Sequence, residues 1–226
     1  MKDRADAILR PAQASYLERL LPPRDSLLLE MEAFAAADDV PISDPEVGLL
    51  LAILARSCRA RRILEIGTAI GYGALCLARA APEAQVVSID SDPQRLAQAR
   101  AYLERGGVLP RVELVEGAAL DVLHRLEGAF DLVYLDAVKG EYRRYLDAVV
   151  PRLVVGGMLV ADNLLWKGRV AEPPEDDDDR DADALRAFNG YLMMHPQLQA
   201  LVLPLGDGLG VAVKTKATVM EMGGPW

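Results

Sequence analysis

Apolar residues along the chain follow two rhythms. Up to about residue 60 they recur every three or four positions, which is the spacing of one helix face. One such pattern covers residues 8–21 and stops at Pro22-Pro23. A second covers 26–37, with Ser26 placed to cap its start, and a third covers 44–59 after the segment VPIS (40–43), with Pro45 suited to its first turn. From residue 62 short apolar runs alternate with amphipathic stretches. ILEI (63–66), QVVSI (85–89), RVELV (111–115), FDLVYL (130–135) and GMLVA (157–161) predict strands, while 71–81, 93–105, 118–126 and 140–153 predict helices. Strand–helix alternation of this kind predicts a parallel sheet with helices on both faces. The ending differs. A helix at about 182–194 precedes LQALVLPL and LGVAVKT, which flank a GDG turn and so predict a hairpin whose last strand runs antiparallel at or near the sheet edge. The expected architecture is one α/β domain over residues 1–226. It has N-terminal helices (1–60), a Rossmann-like core with a mostly parallel seven-stranded sheet (61–216) and a tail (217–226).

Composition narrows the class. At 226 residues with 51% hydrophobic content, the chain has material for one generous core and is not disordered. Apolar stretches are interrupted well short of a bilayer span, by Arg56 and by Pro151 and Arg152, and the start, MKDRADAILRPAQ, has no signal-peptide core. Cys58 and Cys76 each lie inside an apolar helical pattern, the setting of reduced thiols rather than of a disulfide. These features predict a cytoplasmic protein with no membrane partner. The net charge of −9 disfavours a broad nucleic-acid surface but leaves room for a local basic patch. Residues 172–181, EPPEDDDDRD, read as a solvated acidic loop.

LEIGTAIGYG (64–73) follows a strand and opens a helix, the context a glycine-rich nucleotide loop requires. Gly67 and Gly71 suit a tight turn and close backbone approach, with Ala69 where a middle glycine is usual. Glu65 ends its strand beside this loop, where a carboxylate suits a cationic ligand. Asp90 ends the next strand 25 residues later, where an acid accepts hydrogen bonds from ribose hydroxyls. The alternative role for Asp90, capping the following helix, is filled better by Asp92 before Pro93.

YLDAVKGEY (134–142) puts Asp136 at the tip of the fourth strand, and VADN (160–163) puts Asp162 and Asn163 at the tip of the fifth. Carboxyl ends of neighbouring parallel strands face one crevice, so three oxygen donors converge there. Oxygen ligands without histidine suit a hard ion, Mg2+ or Mn2+. His124 and His195 fall in or at the end of predicted helices, away from the strand tips.

LEIGTAIGYG, LDAVKGEY and ADNLLWKG resemble the cation-dependent O-methyltransferases that act on catechols and caffeoyl-CoA, a class I methyltransferase family. Within it the chain is similar to the bacterial tRNA 5-hydroxyuridine methyltransferases. The likeness lies in the proline–arginine turn (22–24), VPI, EIGTAIGY, DAVKGEY, DNLLWKGRVAE, FNGYLMMHP (188–196) and LPLGDGLGVAVK. The resemblance implies S-adenosylmethionine as cofactor, lined by Glu65, Gly67, Tyr72, Gly73, Asp90, Asp136 and the backbone around Gly117. It implies Asp136, Asp162 and Asn163 as metal ligands and Lys139 as the catalytic base. Gly73 stands where many relatives have serine, Ala118 where a GDA motif has aspartate, and Val138 where several have a polar or aromatic residue.

The acceptor implied is 5-hydroxyuridine of a tRNA anticodon loop, giving 5-methoxyuridine, with a catechol-like small molecule as the alternative. Arg24, Arg143, Arg144, Trp166, Lys167 and Arg169 are candidates for a substrate rim of stacking and phosphate-contacting side chains. The acidic run 175–179 opposes the RNA reading. A dehydrogenase, or a nucleotide-binding protein without transfer activity, fits less well, because of the terminal hairpin and the absence of an evident proton relay. The apolar N-terminal helices offer surface for a homodimer.

Overall fold

The fold is described here by a computed structural model covering residues 10–172 and 180–215. Three helices come first: α1 (Pro11–Leu20), α2 (Ser26–Ala37) and α3 (Pro45–Ser57). The core follows as β1 (Arg62–Ile66), α4 (Tyr72–Ala80), β2 (Gln85–Asp90), α5 (Pro93–Arg105), β3 (Val112–Glu116), α6 (Ala119–Arg125), β4 (Phe130–Leu135), α7 (Tyr142–Val149), β5 (Leu153–Ala161), α8 (Arg180–Met193), β6 (Leu198–Leu203) and β7 (Leu209–Lys214). The seven strands form one sheet in the order β3-β2-β1-β4-β5-β7-β6. The first five run parallel; β7 pairs antiparallel with both β5 and β6, which leaves β6 at the edge. Two apolar layers cover the sheet. Ile63, Leu132, Tyr134 and Val160 pack with α2 to α5 on one face, and Leu64, Val133, Leu135 and Leu159 pack with α6 to α8 on the other.

Several local expectations change. The cap of α2 is Asp25, whose Oδ1 accepts from the Leu28 N–H at 3.0 Å, because the helix begins one residue earlier than a Ser26 cap requires. The expected helix over 140–153 is shorter. A 3-10 turn at Lys139–Glu141 precedes α7, and a second at Val150–Arg152 ends it, since Pro151 has no N–H and its ring crowds the preceding turn. Strand β5 therefore starts at Leu153, four residues before the apolar run. Its first half escapes pattern reading because Val155 is exposed and Gly156 takes a positive φ of 83°. Helix α1 begins at Pro11; residues 8 and 9 lie outside the described residues. It buries none of its own residues, with Tyr16, Leu17 and Leu20 exposed. Most of the acidic run (173–179) and the tail (217–226) lie outside the described residues, while Arg180 and Asp181 open α8. Both cysteines are free thiols. Among the described residues no helix is long and apolar enough to cross a membrane.

Candidate active site

Parallel pairing delivers the site residues to one edge of the sheet. The hydrogen-bond ladder continues past the strand ends. Gly67 N donates to Ile89 O, Asp136 N to Ile66 O and Asp162 N to Leu135 O, at 2.9, 2.8 and 2.9 Å. Asp90, Gly67, Asp136 and Asp162 are thus held side by side at the carboxyl ends of β2, β1, β4 and β5, where open α/β sheets bind ligands. Gly117, at φ 149°, joins them by donating its N–H to Asp90 O at 3.0 Å.

The glycine loop between β1 and α4 is tied to Asp90. Its Oδ2 accepts from Ala69 N at 2.8 Å and its Oδ1 from Asp92 N at 3.0 Å. Asp92 caps α5, accepting from Gln94 N and Arg95 N, so the capping role does fall to it. Ala69 is left-handed at φ 44°, the middle position usually given to glycine. Tyr72 is the first residue of α4. Its ring is buried against α3 near Gly48, and its hydroxyl donates to Glu32 Oε1 of α2 at 2.8 Å. What remains beside the loop is the first turn of α4, whose unpaired N–H groups suit a carboxylate.

Glu65 is buried and shares one sheet face with its cross-strand neighbours Ser88 and Tyr134. Ser88 Oγ donates to Glu65 Oε2 and is itself 2.6 Å from Thr68 Oγ1. The absence of a side chain at Gly73 makes this possible: a Cβ there would lie 2.2 Å from Glu65 Oε1, so a serine would force the carboxylate to move. Burial pushes the Glu65 pKa up to about 8, with the Asp136 and Asp90 carboxylates adding to the rise and the Ser88 hydrogen bond opposing it.

A stability prediction follows from that shift. Below the ordinary value near 4.5, Glu65 is protonated in folded and unfolded chains alike and has no effect. Between 4.5 and about 8 only the unfolded chain releases the proton, so stability falls as pH rises, by about 1.4 kcal/mol per unit. Cofactor-free Glu65→Gln should therefore melt with wild type near pH 4.5 and well above it at pH 8. Equal melting temperatures at pH 8 in a calorimetric pH series would refute the assignment.

Across the ladder, Lys139 Nζ gathers the oxygens of two strand ends. It donates to Asp136 Oδ1 at 2.9 Å, to Asn163 Oδ1 at 2.6 Å and to the Tyr142 hydroxyl at 2.8 Å. Asp162 is buried, its Oδ1 accepting from Asn163 N at 2.6 Å and its Oδ2 from the Tyr134 hydroxyl at 3.0 Å. Asn163 adopts φ 62°, a left-handed conformation that asparagine tolerates. Among the described residues no three His, Cys, Asp or Glu side chains gather around a common point. The candidate set is two carboxylates and an amide, with the Lys139 ammonium held by the Asp136 and Asn163 oxygens of that set. That donor chemistry fits a hard divalent ion.

Known proteins carry the same framework. The family model for O-methyltransferases matches residues 27–215. The chain belongs to the O-methyltransferase family. The catechol O-methyltransferase of Mycobacterium tuberculosis is 35% identical over 197 residues, 85% of this chain and 88% of the relative. Tricin synthase 1 of rice, Oryza sativa subsp. japonica, is 35% identical over 183 residues, 75% and 73% of the two chains. The O-methyltransferase TomG of Streptomyces achromogenes, solved in complex with S-adenosylmethionine, superposes with a TM-score of 0.82 at 30% identity. That match covers 95% of this chain and all (100%) of the other. The protein is thus an S-adenosylmethionine-dependent O-methyltransferase.

The rim candidates of this O-methyltransferase are dispersed. Arg24 pairs at 2.8 Å with Glu32 of α2, the carboxylate that also accepts from the Tyr72 hydroxyl. Arg143 stacks over the Tyr191 ring at 4.5 Å, and Arg144 is exposed with its guanidinium 3.4 Å from Glu141. Lys167 and Arg169 are exposed and Trp166 is half-buried, directly after the oxygen donors in sequence. Trp166 and Lys167 are both left-handed, at φ 45° and 55°. The GDG turn holds them there: Asp207 Oδ1 accepts from Lys167 N at 2.6 Å, and its carbonyl accepts from Leu165 N at 2.9 Å. Sequence reading took GDG only as a hairpin turn and missed this brace. It also missed Tyr142 and Tyr134. Tyr142 is three residues after Lys139, and Tyr134 is two before Asp136 on the same face of β4, so period-two alternation was the available signal for Tyr134. His124 bonds Leu120 O within α6, and His195 packs edge-on to Tyr191 and accepts from Gln197 N at 3.2 Å.

Proposed function

We propose that this enzyme is a divalent-metal-dependent O-methyltransferase for acceptors with two vicinal oxygens. Asp136, Asp162 and Asn163 would hold Mg2+ or Mn2+, and Lys139 would act as base. The observation that carries this reading is the meeting of Asp136 Oδ1 and Asn163 Oδ1, from two strand ends, on one cationic group at 2.9 and 2.6 Å. When bound, the ion supplies the Lewis acidity that brings a hydroxyl's pKa toward neutrality. The chain supplies the rest. Asp90 and the glycine loop orient the cofactor, the first turn of α4 meets its carboxylate, and Lys139 Nζ moves the acceptor's proton. Holding acceptor oxygen and methyl group in line accounts for up to ~7–11 kcal/mol in well-aligned systems.

A small catechol-like molecule is the favoured acceptor, because the catechol enzyme of M. tuberculosis matches over most of both chains. A second reading is 5-hydroxyuridine of a tRNA anticodon loop, whose 5-hydroxyl and 4-carbonyl are also vicinal. The exposed Lys167 and Arg169 beside the oxygen donors favour it. The test offers labelled cofactor with Mg2+ to catechols and, in parallel, to tRNA carrying hydroxyuridine. We expect label in the catechol, and Lys167→Glu/Arg169→Glu to leave its kcat/KM within about twofold, since charge interactions of exposed side chains carry little energy. Label entering tRNA alone, and lost in that double variant, would replace the first reading with the second.

A further inference from the structure

We propose that Tyr134, backed by Ser43, is a positioning residue that sets the Asp162 carboxylate for the divalent ion; this rests on the metal-dependent reading above. Tyr134, Ser43 and Asp162 are all buried, so each polar atom needs a partner inside the protein. The Tyr134 hydroxyl lies 3.0 Å from Asp162 Oδ2, 3.4 Å from Asp136 Oδ2 and 2.8 Å from Ser43 Oγ. A phenol has one proton to give. The carboxylates can only accept, and Asp162 is the nearer of the two, so Tyr134 donates to Asp162, and the Ser43 hydroxyl, free to rotate, donates to the Tyr134 oxygen. Each bond in such a chain polarises the next. With Asn163 N on Oδ1 and Tyr134 on Oδ2, the torsion of the Asp162 side chain is pinned from both sides.

The arrangement also gives the VPIS segment a role. Ser43 lies in the connection between α2 and α3, and the chain Ser43–Tyr134–Asp162 links this connection to the tip of β5. Partners that orient metal ligands matter to affinity, commonly by 10–100-fold. Tyr134→Phe keeps the ring that fills the core and removes only the hydroxyl.

The test is Mn2+ titration, by calorimetry or by the paramagnetic signal of free Mn2+, without cofactor or acceptor. Wild type, Tyr134→Phe, Ser43→Ala, the double variant and Asp162→Ala are compared. Tyr134→Phe should weaken Mn2+ about tenfold or more, Ser43→Ala a few-fold, and the double variant no more than Tyr134→Phe alone, because Ser43 acts through the phenol. Affinity for S-adenosylhomocysteine should stay constant across the set. Wild type and Asp162→Ala both failing to bind Mn2+ would remove the metal reading itself. Wild-type affinity in Tyr134→Phe, with wild type binding normally, would overturn the positioning role alone. Should Tyr134→Phe not fold, unchanged Mn2+ affinity in Ser43→Ala would overturn it equally.

Discussion

Asp162→Ala is expected to slow methyl transfer about a thousandfold at saturating cofactor, since Lewis-acid stabilisation is worth several kcal/mol and each 1.4 kcal/mol is a factor of ten. EDTA should produce the same loss in wild type, reversed by Mg2+ or Mn2+, whereas the variant should not recover. The reasoning is one of charge. Asp162 and Asp136 are the two carboxylates of the candidate set, and removing one leaves a single anion and a neutral amide to hold a dication. The three acceptors of Lys139, Asp136, Asn163 and Tyr142, stay in place, since Asp162 is not among them. The Asp162 carboxylate is held by Asn163 N and the Tyr134 hydroxyl, on the β4 and β5 side of the site. Affinity for S-adenosylhomocysteine should therefore be retained, and calorimetry on the variant checks that the pocket is intact. Full turnover of wild type in EDTA would make Asp136 and Asp162 structural residues.

Gly67→Ala should cost about 3 kcal/mol, combining roughly 1–2 kcal/mol for a side chain in left-handed backbone with a packing clash. Gly67 sits at φ 102°, and a Cβ there would lie 1.9 Å from Asp136 O and 2.6 Å from Asp136 C. Those are backbone atoms of the next strand, so no rotamer change relieves the contact. Relief requires β1 and β4 to separate where Asp136 N bonds Ile66 O, which displaces the cofactor loop and Asp136 together. A melting temperature lower by roughly 10 °C and lost cofactor binding are expected. Gly190→Ala provides the contrast: it is exposed in α8 with nothing within 4 Å of an added Cβ, and should raise stability by roughly 0.5–1 kcal/mol. Thermal denaturation of the two variants side by side checks both signs. A Gly67→Ala protein as stable as wild type would mean that the loop approaches β4 less closely than this geometry requires.

What the sequence by itself determined is the part governed by local period and by strand ends. Strand β4 and helix α5 match the apolar pattern to the residue, because β4 is buried on both faces and reads as a near-continuous apolar run, while α5 buries one face and repeats every three to four positions. Asp90, Asp136, Asp162 and Asn163 were legible because parallel strands carry whatever follows them to one edge. Tertiary structure decided matters that depend on partners far away in the chain. That Arg24 pairs with Glu32, that Tyr72 bonds α2, and where Lys167 is braced all turn on such contacts. No periodicity encodes that Ser43 meets Tyr134, or that Gly73 leaves room for a buried carboxylate. Hydrophobic spacing reports how a segment is buried, whereas the direction of a hydrogen bond depends on which atoms the completed fold sets within about 3 Å.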